Sequence, residues 1–244
     1  MVRNVIFKLL NKKFQFKFRN RIAAAELLGE ALKNRVSEKE RKRTVIIGIP
    51  RGGVVTADIV SKKLISPFFD IIIPRKLTSP NNKEQAIGAI MEDGTSFINY
   101  QLISSLQISS KYLEIEMTEQ IKEIKRKSAL YRRSQRNDLT TVVKDRTVIL
   151  IDDGAATGAT IIAASRWMRF LEGQPRRFII AIPIAPQNTI DILEKICMAE
   201  VEVIFNPQSS FHSVEQYHQN FDPVSDEKVI SILDQRNQLP LYKG

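Results

Sequence analysis

The sequence predicts an α/β fold built on a doubly wound parallel sheet, on three observations. Apolar, β-branched-rich runs recur at residues 44–49, 69–73, 147–151, 177–182 and 201–205; where no polar residue alternates, such runs suit strands covered on both faces. Helix-patterned stretches separate most of them, so β–α–β repeats with right-handed crossovers. Glycines, small residues and charges gather where the runs end, which is where open α/β sheets take ligands. The 244 residues can form one large α/β domain. A 43% hydrophobic, 26% charged composition is that of a globular chain. The lone Cys197 excludes an internal disulfide framework and, inside an apolar helical pattern, reads as packing in a reducing compartment. No apolar run approaches a membrane span. Lys8, Lys12 and Lys13 break up the N-terminal apolar stretch, which does not read as a signal peptide. The expected location is cytoplasmic, with no membrane partner.

In chain order, residues 1–17 read as a basic extension. Phe14, Phe16 and Phe18 alternate with polar residues, the period of a short strand. Ile22, Ala25, Leu28, Ala31 and Leu32 recur at helical spacing over residues 21–34. Residues 1–43 hold thirteen cations against four acids, nearly the whole net charge of +10. Contact with nucleic acid or an anionic membrane surface is one reading of this segment. A solvated face is the favoured one, because no aromatics interleave Arg41, Lys42 and Arg43 as stacking platforms would. Strand 44–49 runs into Pro50, Arg51, Gly52 and Gly53, and a helix follows to about residue 63. Two glycines permit backbone shapes closed to other residues, and the Arg51 guanidinium suits a pyrophosphate. Arg75 and Lys76 follow strand 69–73 and point to the same anion. Residues 78–85 have a loop composition, with Lys83 and Glu84 as candidate contacts and Glu92 and Asp93 as alternatives; 86–91 reads as a strand. Residues 98–137 read as an exposed helical insertion. Its stripe is Leu113, Met117, Ile121, Ile124 and Ser128, and acids such as Glu114, Glu116 and Glu119 precede bases, as the helix dipole favours.

The stretch at residues 147–164, TVILIDDGAATGATIIAA, carries the most chemistry. A buried strand ends in Asp152 and Asp153. The loop Gly154, Ala155, Ala156, Thr157, Gly158, Ala159 and Thr160 then opens a helix. Free N–H groups and the dipole at a helix start bind phosphate, and the two threonines add hydroxyls. Carboxylates beside a phosphate site suit sugar hydroxyls or Mg²⁺, so the pair and the loop together suit a ribose 5-phosphate. A Walker A loop is excluded, since no lysine follows Gly158. Gly173 reads as the cap of the following helix, Asn188 as the start of the next, and Trp167 as core. Beyond the last strand come Ser209, Ser210, Phe211, His212, Tyr217, His218 and Phe221, and Ser225 starts a final helix. The aromatics can stack on a base or pin the loop. His212 and His218 lack a metal-ligand pattern, and a general-base role for either stays open.

The strand, acidic pair and small-residue loop ending T-G-x-T closely resemble the PRPP-binding motif of type I phosphoribosyltransferases. FRNRIAAAELLGEAL, IPRGGVVTADIV, PRKLTSPNNKEQAIGAIMEDG, IDDGAATGAT and YHQNFDPVSDEKVISIL extend the resemblance to bacterial and archaeal predicted phosphoribosyltransferases of undefined acceptor, from Phe18 to Leu233. It implies a small hood made of terminal segments and a long inserted helix. The implied division is 1–17 extension, 18–234 phosphoribosyltransferase-like domain with 98–137 inserted and 206–234 as C-terminal loop and helix, and 235–244 tail. Residues 154–160 would hold the PRPP 5-phosphate, and Arg51, Gly52, Gly53, Arg75 and Lys76 the pyrophosphate. Asp152, Asp153, Lys76 and Arg51 would serve catalysis, and residues 78–85 a closing loop. Mg²⁺ would accompany PRPP near Asp152 and Asp153, through water or the ribose hydroxyls. An unidentified base or amine would be the acceptor and a homo-oligomer the assembly. In purine-salvage members an acid precedes T-G to handle the purine N7 proton, whereas Ala156 stands here. The alternatives are a PRPP- or nucleotide-sensing regulator that binds nucleic acid through the basic N-terminal region, and a non-catalytic module of the same fold.

Overall fold

The computed structural model describes residues 17–132, 139–207 and 210–237. The extension before residue 17, with Phe14 and Phe16, lies outside them, as do Ser209, the end of the predicted 98–137 insertion and the tail from residue 238. Five parallel strands form the central sheet: β2 (Thr44–Gly48), β3 (Phe68–Ile71), β7 (Thr147–Ile151), β8 (Arg177–Ile184) and β9 (Glu200–Phe205), in the order β3-β2-β7-β8-β9. Along β2 and β7 each residue is buried, as their unalternated sequences require. Alternate side chains still face opposite layers. Ile46, Ile149 and Ile179 pack with Leu28 and Leu32 of α1 (Arg21–Arg35) and with Val54, Ala57 and Val60 of α3 (Gly52–Leu64). Val45, Val148 and Ile180 pack on the other face with Ile161 and Ala164 of α7 (Ala159–Phe170) and Leu193 of α8 (Gln187–Cys197). The sheet is therefore doubly wound. Each such aliphatic side chain contributes about 1.5–3 kcal/mol on burial.

Between β3 and β7 the chain leaves the sheet. β4 (Arg75–Ser79), β5 (Asn82–Ile90) and β6 (Ser96–Ile98) form an antiparallel meander. The predicted loop at 78–85 is thus largely a hairpin, with register shifts at Thr78 that free it from regular pairing. Arg75 and Lys76 open a strand instead of following one, because β3 ends at Ile71. Asp93 accepts from Thr95 in the turn after β5. α4 (Tyr100–Ser105) and α5 (Ser110–Tyr131) replace the single predicted helix, and the short α6 (Leu139–Val143) leads into β7. α5 is less exposed than its composition suggests. Glu116 is buried and accepts hydrogen bonds from the N–H and hydroxyl of Thr78, each at 3.0 Å. An acid that looked like a dipole partner ties the insertion to the hairpin.

A two-stranded parallel sheet pairs β1 (Phe18–Asn20) with β10 (His218–Asn220). Asn20 caps α1 by accepting from Ala23 N at 2.9 Å. At its other end Arg41, on α2 (Glu38–Arg41), donates to the carbonyls of Val36 at 3.0 Å and Lys33 at 2.5 Å. Arg41 therefore finishes α1 and is not a free cation of the basic segment. α7 ends at Phe170 rather than at Gly173, and α8 starts after Pro186, one turn position ahead of Asn188. Met198, in the left-handed region at φ 45°, ends α8. The last helix, α9 (Asp226–Asn237), starts where Ser225 accepts from Lys228 N, as predicted. Arg236 anchors it by donating to Asp58 Oδ1 at 2.8 Å and Asp58 O at 2.7 Å. Both side chains are buried, so deleting one strands the other. Arg236→Met is expected to cost about 3 kcal/mol, read as a drop in urea midpoint at unchanged m-value. An unchanged midpoint would show that Lys62, which also reaches Asp58 at 2.7 Å, suffices alone.

Candidate functional site

Strand order reverses between β2 and β7: β2 continues to β3 on one side, β7 to β8 on the other. A crevice opens outside the carboxyl ends of strands at such a point. There the loops after β2 and β7 face each other across a cleft of about 730 Å³. Arg51, Gly52, Asp152, Asp153, Gly154, Ala155, Ala156, Thr157, Gly158 and Thr160 line it, joined by Arg75 and Lys76 from β4. Thus residues predicted from three separate stretches share one cavity. Gly53 and Ala159 stand behind this lining. A Cβ on Gly53 would lie 2.8 Å from Asp152 Cα and 2.8 Å from Ile151 O; one on Gly52 would lie 1.7 Å from Asp153 Oδ2. Gly53 is therefore required by contact with the backbone around the acidic pair, whereas a side chain at Gly52 would displace the Asp153 carboxylate. The Pro50–Arg51 peptide between strand and helix is cis.

The two carboxylates differ. Asp152 Oδ1 accepts from the Asp153 N–H at 2.9 Å. Burial and the neighbouring Asp153 push the Asp152 carboxyl well above the usual range, and Lys76 pulls the other way. Asp153 Oδ2 accepts from Arg21 Nε at 2.9 Å. Arg21 also donates to Asp222 O at 2.8 Å and stacks over the Phe221 ring, 4.0 Å from its centroid. The opposing wall carries cations. Arg75 Nε donates to Gln120 Oε1 at 3.0 Å, and Arg51 Nη1 lies 3.9 Å from Asp226 Oδ1.

The loop after Asp153 is shaped for an anion. Gly158 adopts φ 71° as the residue before α7, a region that favours glycine. The Ile162 N–H donates to Gly158 O at 2.9 Å, so the N–H groups of Ala159–Ile161 precede the first such helical bond. Thr189 Oγ1 donates to Ala156 O at 2.5 Å and Ala155 N to Ile184 O at 3.0 Å, which fixes the loop against α8 and β8.

Residues 19–218 match the phosphoribosyl transferase domain. The chain belongs to the phosphoribosyl transferase family. Two Mycobacterium tuberculosis proteins with provisional phosphoribosyl transferase names, from strains CDC 1551 and H37Rv, are each 32% identical over 212 residues. The match covers 86% of this chain and 46% of each relative, so the chain spans about half the length of these curated relatives. The crystal structure of TT1426 from Thermus thermophilus is 34% identical with a TM-score of 0.69, over 90% of this chain and 99% of that one.

In this phosphoribosyl transferase domain, Arg21 and Gln120 stand at the cleft without having been singled out from sequence. Arg21 was counted only as part of the basic N-terminal charge; nothing local links it to an acid 132 positions away. Gln120 lines the cleft from the insertion, and the predicted 78–85 segment contributes Thr78, Lys83 and Glu84. Glu92 and Asp93 are not among its lining residues. His212, Val214, Glu215 and Phe221 line it from the C-terminal loop. His218 is instead a core histidine. It is buried, its Nδ1 is 3.0 Å from Val214 O, and burial lowers its pKa.

Proposed function

We propose that the chain transfers a 5-phosphoribosyl group from Mg·PRPP to an unidentified nitrogenous acceptor and releases pyrophosphate. One observation carries this reading: an acidic pair, an open helix start and three cations converge on a single cleft at the switch point. The start of α7, with the Thr157 and Thr160 hydroxyls, suits the 5-phosphate. Asp152 and Asp153 suit the ribose hydroxyls. Arg51, Arg75 and Lys76 suit the pyrophosphate, with the Gly52 backbone beside them. In the reaction the acceptor nitrogen bonds to the anomeric carbon as the bond from that carbon to the pyrophosphate oxygen breaks. The ribose gains positive charge and the leaving group negative charge. Carboxylates and cations of the same cleft suit these two charges, so positioning and electrostatics would supply the rate. Arg21 must share Asp153 with the ribose, or release it. Ala156 offers no carboxylate to a purine N7 proton. Lys83, Glu84, His212 and Glu215 also line the cleft and are candidate contacts for an acceptor.

Among the described residues no group of three or more His, Cys, Asp or Glu side chains could hold a metal. Mg²⁺ bound together with a polyphosphate needs only one or two carboxylates, the phosphate oxygens and waters. Asp152 and Asp153 fit that requirement, and the ion would neutralise charge on the pyrophosphate.

Calorimetric titration of Mg·PRPP into wild type and into Asp152→Asn/Asp153→Asn tests the reading. Micromolar-range binding by the wild type, and its loss in a folded double variant, is the expected result. A folded wild type that takes up no heat from Mg·PRPP overturns it.

A further inference from the structure

The strands of the central sheet are parallel, so the turns that precede them share one edge, opposite the cleft. Register pairs Thr44 with Thr147 and Thr147 with Arg177. The residues just before these three are Arg43, Arg146 and Arg176. They form a row across three neighbouring strands, spaced about 4.8 Å from strand to strand. Two further facts tie the row together. The Arg176 N–H donates to Arg146 O at 2.9 Å. Burial and the Arg43 charge both lower the Arg146 pKa.

The row is poorly balanced by acids. Arg146 lies over the Phe68 ring, 3.6 Å from its centroid, and its Nη1 is buried with no partner among the described residues. Arg43 and Arg176 are exposed. Glu40 lies 3.9 Å from Arg176 but is already held by Thr147 at 2.7 Å and Arg177 at 3.0 Å. Lys42 and Lys144 add charge in the same turns, against the exposed Asp145 and Glu172. Adjacent like charges raise the local potential and attract an anion, the more so on a chain of net charge +10.

A cavity of about 430 Å³ opens beside Arg176, lined also by Arg169, Gln174, Phe178 and Met198. Met198 is 76% exposed, and Phe170, at the end of α7, is 77% exposed. Cations in a line that end at a cavity with Phe178 and Met198 in its wall match a strand of phosphates with an unstacked base. A duplex keeps its bases stacked and cannot offer one.

We propose that this edge binds single-stranded nucleic acid, with phosphates on the exposed Arg43 and Arg176, the Arg146 charge between them adding to the attraction, and a base in the cavity beside Arg176. The face is independent of the cleft, which lies at the other ends of the same strands.

The test is fluorescence anisotropy of the full chain with labelled single-stranded RNA, single-stranded DNA and duplex DNA. Single strands of either sugar type should bind better than the duplex, and affinity should fall steeply between about 50 and 200 mM salt. Preference between RNA and DNA reports whether the 2′-hydroxyl is read. Arg43→Gln/Arg176→Gln removes two phosphate contacts, so the log–log salt slope should become shallower by about 1.4. Met198→Glu, which leaves the row intact, should weaken single strands at least about five-fold and the duplex far less. Both variants should titrate with Mg·PRPP like the wild type. No binding of single strands at low salt, a preference for the duplex, or unchanged affinity and slope in the double arginine variant would each overturn the proposal.

Discussion

Asp152→Asn is expected to make the protein more stable and, in the same step, to remove most of its affinity for Mg·PRPP. The two effects have one cause. The Asp152 carboxyl is buried beside Asp153, and both conditions hold its pKa above the unfolded value of about 3.9. The sign follows from linkage. Below the unfolded pKa both states carry the neutral acid, and the group contributes nothing. As pH rises past it, the unfolded chain ionises first, and stability is lost until the folded group also ionises. Above the unfolded pKa the wild type therefore carries a penalty that the variant lacks. Asparagine keeps the shape and the acceptor for the Asp153 N–H, and removes the charge. Its Tm should exceed the wild-type value by a few degrees at pH 7, about 2–4 °C for each kcal/mol recovered. The difference should vanish near pH 3. Affinity for Mg·PRPP should fall about 10–100-fold, the worth of a charge-assisted hydrogen bond to a ribose hydroxyl. Melting curves at both pH values, with calorimetry at pH 7, check both halves. A variant that is less stable at pH 7 and binds normally would make Asp152 a structural acid.

Gly53→Ala is expected to destabilise the fold, although alanine is the better helix former by about 1 kcal/mol. The added methyl would meet the backbone of the acidic pair, at 2.8 Å from Asp152 Cα and 2.8 Å from Ile151 O. Neither atom can rotate away, so α3 must shift from β7. Overpacking of this kind costs about 1–3 kcal/mol, or roughly 3–10 °C in Tm for a chain of this size. The same shift moves Arg51, at the mouth of the cleft, and weakens Mg·PRPP binding. Gly52→Ala supplies the contrast. Its methyl would meet the Asp153 carboxylate, a side chain that can swing off Arg21. Ligand affinity should suffer more than stability there. If Gly53→Ala instead melts higher than the wild type, the close approach of helix and strand is not what selects glycine.

The doubly wound sheet was legible because its signal is local. Unalternated runs such as 147–151 mark strands buried on both sides, and the residues at their ends sit where the sheet places ligands. Asp152, Asp153, the 154–160 loop and Arg51-Gly52-Gly53 could be read for the same reason: each acts through contiguous backbone and adjacent side chains. Boundaries failed where tertiary contacts took over. Thr78 looked like part of a loop because its composition is polar, yet Glu116 of α5 holds it within a hairpin. Arg41 looked like a free cation and caps α1.

Residue order alone sets the elements and the chemistry at their ends. Packing of the folded chain chooses which of those ends meet. Arg21 reaches Asp153 across 132 positions because pairing of Phe18 with His218 carries the start of α1 to the mouth of the cleft. Arg43, Arg146 and Arg176 fall into one row because β2, β7 and β8 pair in parallel, in a register set by alignment of their buried side chains. Composition and periodicity record what each segment buries. They do not record its neighbour, since a parallel sheet takes any buried strand of suitable length until crossover and packing choose one.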